Sequence, residues 1–196
     1  MAGAKHPREE VTLILIKPDG VKRGLIGEII KRIEQRGLKV IAIAMEKASR
    51  EKIDNHYPKT KDWITRLGHK TLQTYKDYGI NAKKELATDD PYKIGLKVRE
   101  WLLNFMTSEP IVKAAIKGVH AIDMVRKISG ATLPYKAELG SIRGDFSVDS
   151  PAAANRDKRA IHNLVHASET AEEAAHELSY WFKKEELQDY KRVDED

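Results

Sequence analysis

VTLILIKPDGVKRGLIGEIIKRIEQRGLKVIAIAM, residues 11–45, decides the fold. Its first segment, 11–17, is a β-branched apolar run stopped by Pro18-Asp19-Gly20, which reads as a buried strand ending in a lysine. Leu25, Ile26, Ile29, Ile30 and Ile33 then recur at helical spacing, and Gly37 supplies a stop. LKVIAIAM (38–45) is a second strand.

The same signals extend outward. Ser49 caps a short helix that ends at Pro58, because a residue before proline avoids helical geometry. Residues 58–90 are polar and carry Trp63, Tyr75 and Tyr78; one or two helices are expected there, over about 60–78 and closed by Gly79. Asp90-Pro91 opens another helix, with Ile94, Val98, Trp101, Leu102 and Phe105 as its apolar stripe. IVKAAIK (111–117) is a third strand, followed by a helix over 119–128 that ends near Gly130 and a long loop over 131–142. A fourth strand is expected near 143–148, and Thr170 with Glu173 opens a last helix over 171–182. The order predicts a single α+β domain over 1–196: a ferredoxin-like βαββαβ antiparallel sheet with helices on one face, a helical insertion and a C-terminal helical segment.

Composition narrows the chemistry. The 196 residues are 41% hydrophobic and 33% charged, a globular balance, and richness in Lys, Arg and Glu fits a heat-stable protein. No cysteine is present, which excludes disulfides and thiolate metal sites. MAGAKHPREE has no apolar core of a secretory signal, and no run is long enough to span a membrane, so a cytoplasmic location is expected. The net charge of +5 favours nucleotides, phosphates or nucleic acid, although a charge-rich solvated surface would give the same figure.

His166, in NLVHAS (163–168), has small or apolar neighbours and three readings: packed residue, metal ligand or nucleophile. His162 and His166 are spaced i, i+4, as zinc ligands can be, but no third ligand follows at a diagnostic spacing. Ser141, Ser147 and Ser168 lack the GxSxG elbow of acyl transfer, and no P-loop, GxGxxG or HExxH is present. A phosphoryl-accepting histidine needs room, a partner on its other nitrogen, and cations. Glu177 is positioned to be that partner, and Lys17, Arg126 and Arg143 are candidate phosphate ligands. Singly, each has a bland reading: a solvated strand end for Lys17, a helix C-terminal dipole partner for Arg126, a surface helix acid for Glu177, a packed loop residue for His166. They gain force together.

KPDGVKRGLIGEIIKRIEQRG (17–37), GATLP (130–134), SIRGDF (141–146), NLVHASET (163–170) and ELSYWFKKEEL (177–187) resemble, in order, the signature segments of nucleoside diphosphate kinases. The resemblance implies a ferredoxin-like core, a hexamer, and ping-pong transfer of a γ-phosphate between nucleoside tri- and diphosphates through a phosphohistidine, with Mg²⁺ on the phosphates. It makes His166 the nucleophile, with Glu177 and Ser168 orienting it, and Lys17, Tyr57, Arg126, Thr132, Arg143 and Asn163 contacting phosphates and ribose. Direct metal ligands from the protein are not implied; the family's metal-binding aspartate stands here as Glu169. The stretches 58–97 and 147–158 are longer than the family's and read as insertions. The family's base-stacking aromatic aligns with Val98, which leaves Val98, Trp63 or another neighbour against the base. An RNA-binding sheet is disfavoured, because strands 11–17, 38–45 and 111–117 carry no aromatic residue. A scaffold without catalysis is disfavoured by the intact set of Lys17, Arg126, Arg143, His166 and Glu177.

Overall fold

The apolar run that opens the sequence becomes the middle of a sheet. The computed structural model describes residues 9–193; residues 1–8 of the N-terminal stretch read above for a leader lie outside them. Four strands, β1 (Glu9–Ile16), β2 (Lys39–Glu46), β3 (Ile111–Val119) and β4 (Val165–Ala167), pair antiparallel in the order β2-β3-β1-β4, as a ferredoxin-like fold requires.

Helices cover both faces of this sheet, not one. Ile14 and Ile16 of β1 pack with Ile29 and Ile33 of α2 (Ile26–Gln35) and Val125 of α7 (Ala121–Ser129). Leu13 and Leu15 face the other way, into Ile53 of α3 (Arg50–His56), Leu103 and Met106 of α6 (Pro91–Met106) and Trp181 of α10 (Ala171–Trp181). An unbroken LILI is what a strand covered on both sides needs; alternation belongs to sheets with one wet face.

The fourth strand was expected at the wrong place. Residues near 143–148 form a helical turn, α8 (Ile142–Phe146), because Ser141 accepts the Gly144 N–H at its start. A Cβ on Gly144 would lie 2.0 Å from the Glu138 carbonyl oxygen, so the segment sits tightly under its own preceding loop. The strand that completes the sheet is the three-residue β4, and its register sets His166 opposite Leu15. It is too short to show a period of two.

Between β2 and β3 the chain adds α4 (Lys61–Asp77) and α5 (Ala82–Leu86). The expected caps hold: Ser49, Asp90 and Thr170 accept from the first turns of α3, α6 and α10. Thr60, not read as a cap in the sequence, does the same for α4. Helix α6 serves two cores. Its first half buries Ile94 with Tyr75 and Leu86, and Val98 and Trp101 pack against them. Its second half buries Leu103 and Met106 under the sheet, one position away from the expected Leu102 and Phe105. The second long stretch forms α9 (Pro151–Arg156) and packs on α4, where Tyr75 donates its hydroxyl to the Asn155 carbonyl at 3.2 Å. Among the described residues, no helix is long and apolar enough to cross a membrane.

Candidate active site

Three chain segments converge where β1 ends and β4 begins. Lys17 follows β1 and precedes α1 (Pro18–Lys22); its N–H donates to the Leu164 carbonyl at 2.8 Å. Its ammonium donates to Asn163 Oδ1 at 2.7 Å, and Asn163 Nδ2 donates to the Thr132 carbonyl at 2.9 Å. Arg143, buried on α8, ties three carbonyls together: Asn163, Gly130 and Val165, at 3.1, 2.6 and 2.7 Å.

His166 lies on β4 beside this knot. Its Nε2 is 2.7 Å from Glu177 Oε1, and Ser168 donates to the other oxygen of Glu177 at 2.6 Å. Burial alone would raise the Glu177 carboxyl, but these hydrogen bonds overcome it and hold the group below its ordinary range. An ionised carboxylate only accepts, so His166 carries its proton on Nε2, and the Nδ1 lone pair is left to react.

Lys17, Tyr57, Arg126, Thr132, Arg143, Asn163, His166 and Glu177 all line one cleft of about 720 Å³. Ser168 lies behind it, fully buried. Five cations, Lys17, Arg126, Lys127, Lys136 and Arg143, line the cleft beside four carboxylates, and Lys17 and Arg143 are buried. Burial, then Arg143, hold the Lys17 ammonium down to about 8, with Asp19 opposing. Burial likewise holds Arg143 down to about 10. Burial, then Glu177, raise the Tyr57 phenol. Arg126 stands at the exposed rim, clasped to the Glu169 carbonyl at 2.9 Å and to its carboxylate at 3.2 Å. Trp63, at the start of α4, also lines the cleft and stacks on Tyr57 with centroids 6.1 Å apart. Val98 does not reach it; it packs instead into the α4–α6 core.

His56 was not anticipated. It ends α3, lines the cleft, and sets its ring edge-on to His166 at 4.9 Å. Its Nδ1 accepts from Trp181 Nε1 at 3.3 Å and lies 3.6 Å from Glu177. Burial first, then His166, hold its imidazole down to about 3, so it is neutral and forms no ion pair near pH 7. No spacing in the sequence links residue 56 to residue 166; only the fold does.

His56, His166 and Glu177 offer ligand atoms within 4.8 Å of one another. Hydrogen bonds already engage all three. His162 is not part of that group; its ring stacks on Phe105 at 4.7 Å. The other acids in the cleft are Glu138, Glu169 and Glu173; Glu169 is paired with Arg126, and Glu173 accepts the Glu169 N–H. This donor set suits a cation carried on a polyphosphate better than an all-protein cage.

The sequence profile of the nucleoside diphosphate kinase family matches residues 10–77 and 92–187. The chain belongs to the nucleoside diphosphate kinase family. It is 46% identical over 178 residues to the nucleoside diphosphate kinase of Pyrobaculum aerophilum, covering 91% of this chain and 97% of that one. A crystal structure of an NDP kinase from the same organism superposes with a TM-score of 0.89 at 43% identity, over 92% of this chain and all of that one. A nucleoside-diphosphate kinase from Borrelia burgdorferi, solved as a transition-state mimic with vanadate and ADP, gives 0.76 at 33% identity, over 97% and 96% of the two chains. Membership makes this chain an enzyme of the nucleoside-diphosphate kinase class. The profile passes over residues 78–91, which hold α5.

Proposed function

We propose that this nucleoside diphosphate kinase works by a ping-pong route in which His166 is the phosphoryl acceptor. The observation that carries the reading is the Glu177–His166 pair. With Nε2–H committed to Glu177, Nδ1 needs no general base. In the first half-reaction the Nδ1 lone pair forms a bond to the γ-phosphorus of a nucleoside triphosphate. The bond from phosphorus to the bridging oxygen breaks, and the nucleoside diphosphate leaves with that electron pair. A second diphosphate reverses the steps. Ser168 and Glu177 fix the tautomer, and the Glu177 carboxylate offsets the positive charge that the ring acquires.

The transition state spreads negative charge over phosphoryl oxygens, so aligned cations do most of the work. Lys17 and Arg143 supply them from below and Arg126 from the rim, with Tyr57, Thr132 and Asn163 completing the phosphate and ribose contacts. The charge and donor set fit Mg²⁺ held by the nucleotide phosphates, where it would neutralise the leaving diphosphate. Trp63 on Tyr57 supplies the base platform, in place of Val98. Stacking is tolerant of base identity, and little selectivity is expected.

We read the chain as a single domain with helical insertions at 58–97 and 147–158, assembled as a hexamer in the cytoplasm, as the resemblance implies. Brief incubation with labelled ATP and Mg²⁺ tests the chemistry. A protein-bound phosphate that is lost in acid, survives alkali and moves to added nucleoside diphosphate is expected. His166→Ala abolishes it and His162→Ala does not; a label on His162 would overturn the assignment. A sizing measurement decides the oligomer.

A further inference from the structure

The residue just before β4 is bent in an unusual way. Leu164 has φ +67°, a left-handed value for a residue with a side chain, and Val165 N–H donates to the Asn163 carbonyl across it at 2.7 Å. That is a γ-turn of the positive-φ kind, which is rare and strained. It stands between Asn163 and His166, two residues of the cleft. Strand β4, only three residues long, cannot hold such a turn by its ladder alone.

The KPDG corner holds it instead. Lys17 N–H donates to the Leu164 carbonyl, and the Leu164 N–H donates to Asp19 Oδ2 at 3.0 Å. Both backbone groups of the strained residue are therefore tied to residues 17–19. Gly20 lets the corner come close: a Cβ there would lie 2.8 Å from Ile16 Cγ2 and 3.2 Å from the Leu164 carbonyl oxygen. The second oxygen of Asp19 is buried with no hydrogen-bond partner. A buried carboxylate with an unused oxygen is costly. Its charge acts on the two neighbouring cations, favouring the charged form of Lys17 and of Arg143.

We propose that Asp19 is a positioning residue for phosphoryl transfer: it clamps the γ-turn at Leu164, which aims Asn163 and His166, and it balances the charge of Lys17 and Arg143 at the floor of the cleft. It touches neither nucleotide nor the reacting nitrogen, and acts through Leu164 and the two cations. Of the other charged or titratable groups lining the cleft, Arg126 and Lys127 lie on α7, His56 on α3, Glu173 and Glu177 on α10 and His166 on β4, with Tyr57, Lys136, Glu138 and Glu169 on the segments between.

The test rests on the kinase reading above but is separable from it, because the wild-type chain must first form the phosphoenzyme. Asp19→Asn keeps an acceptor for the Leu164 N–H and removes the charge; Asp19→Ala removes both. Single-turnover phosphorylation by ATP and Mg²⁺ is measured against pH for all three proteins. Asp19→Ala is expected to slow phosphoryl transfer by about tenfold to a hundredfold with a smaller change in nucleotide KM, since a displacement of about 1 Å has that effect on transfer. Asp19→Asn is expected to keep more of the rate near pH 7 and to move the alkaline limb of kcat/KM to lower pH, because Lys17 loses the carboxylate that helps it stay charged. A role confined to folding would lower stability and leave that limb in place. Unchanged rates and an unmoved limb in a folded Asp19→Asn enzyme would overturn the proposal, whether or not Asp19→Ala folds. No phosphoenzyme in the wild type would overturn the phosphohistidine reading instead.

Discussion

His56 sits 3.6 Å from a carboxylate oxygen and yet stays uncharged. Desolvation is the larger effect, with His166 and Lys17 pushing the same way against Glu177, and the imidazole is held down to about 3. Between that value and its unfolded value of about 6.5, the unfolded chain binds more protons than the folded one. The contribution is complete above about 6.5 and is lost as pH falls toward 3; the full gap is worth on the order of 5 kcal/mol. Urea unfolding of the wild type is therefore expected to weaken between pH 7 and 4.5, and His56→Asn to weaken less over the same range. Parallel curves would exclude this role for His56. Lys17 gives a pair of opposite signs. Its folded value of about 8 lies below its unfolded 10.5, so stability rises with pH between the two. Catalysis falls over the same window, as the free enzyme loses a cation that phosphate needs. A kcat/KM that declines above about pH 8 while unfolding free energy climbs is the expected signature. Lys17→Met should remove both slopes and lower kcat/KM by roughly a hundredfold or more.

At the scale of elements, the closest packing lies outside the sheet. Helices α4 and α6 cross at two glycines: a Cβ on Gly68 would meet the Pro91 carbonyl oxygen at 1.8 Å, and one on Gly95 the Ile64 carbonyl oxygen at 1.9 Å. Neither neighbour is a flexible side chain; both are backbone, so the helices must separate to admit a methyl. Gly68→Ala and Gly95→Ala are each expected to lower stability by about 2 kcal/mol or more despite alanine's better helix propensity. Thermal unfolding checks this, and a raised Tm in either variant would show that the crossing is loose. The same scale explains what the sequence disclosed. Helices α2, α3, α6 and α10 announced themselves through periodicity or capping residues, α4 and α7 only through the glycines that follow them, and β1, β2 and β3 through apolar runs. Strand β4 did not, because three residues entered through a left-handed Leu164 carry no pattern. The site was legible only as a set of residue types. Lys17, Arg126, Arg143, His166 and Glu177 could be named from charge and spacing, whereas His56 and Asp19 act through contacts between residues more than a hundred positions apart.

Across the whole molecule, the two long stretches behave as one structure joined to the cleft at both ends. Helix α4 places Trp63, in its first turn, in the cleft and Tyr75, near its far end, on the Asn155 carbonyl of α9. The chain beyond α9 is fastened back beside the site, where Asp149 accepts from Arg159 at 2.6 Å and from the His162 N–H at 2.7 Å, one residue before Asn163. If α4 is part of the working site, truncating its cleft end must affect nucleotide binding, and loosening its far end must affect stability alone. Trp63→Ala is therefore expected to raise nucleotide KM by roughly tenfold, the loss of one base–aromatic stack, with kcat little changed because the contact is equal in ground and transition states. Tyr75→Phe should cost about 1 kcal/mol of stability, one neutral hydrogen bond, and leave KM where it was. Steady-state kinetics with several nucleoside diphosphates, alongside thermal unfolding of both variants, separates the cases. An unchanged KM in Trp63→Ala would reduce α4 to surface packing. A KM that rises only for purines would mean that the platform discriminates by ring size, since a larger ring buries more area against the indole than a pyrimidine does.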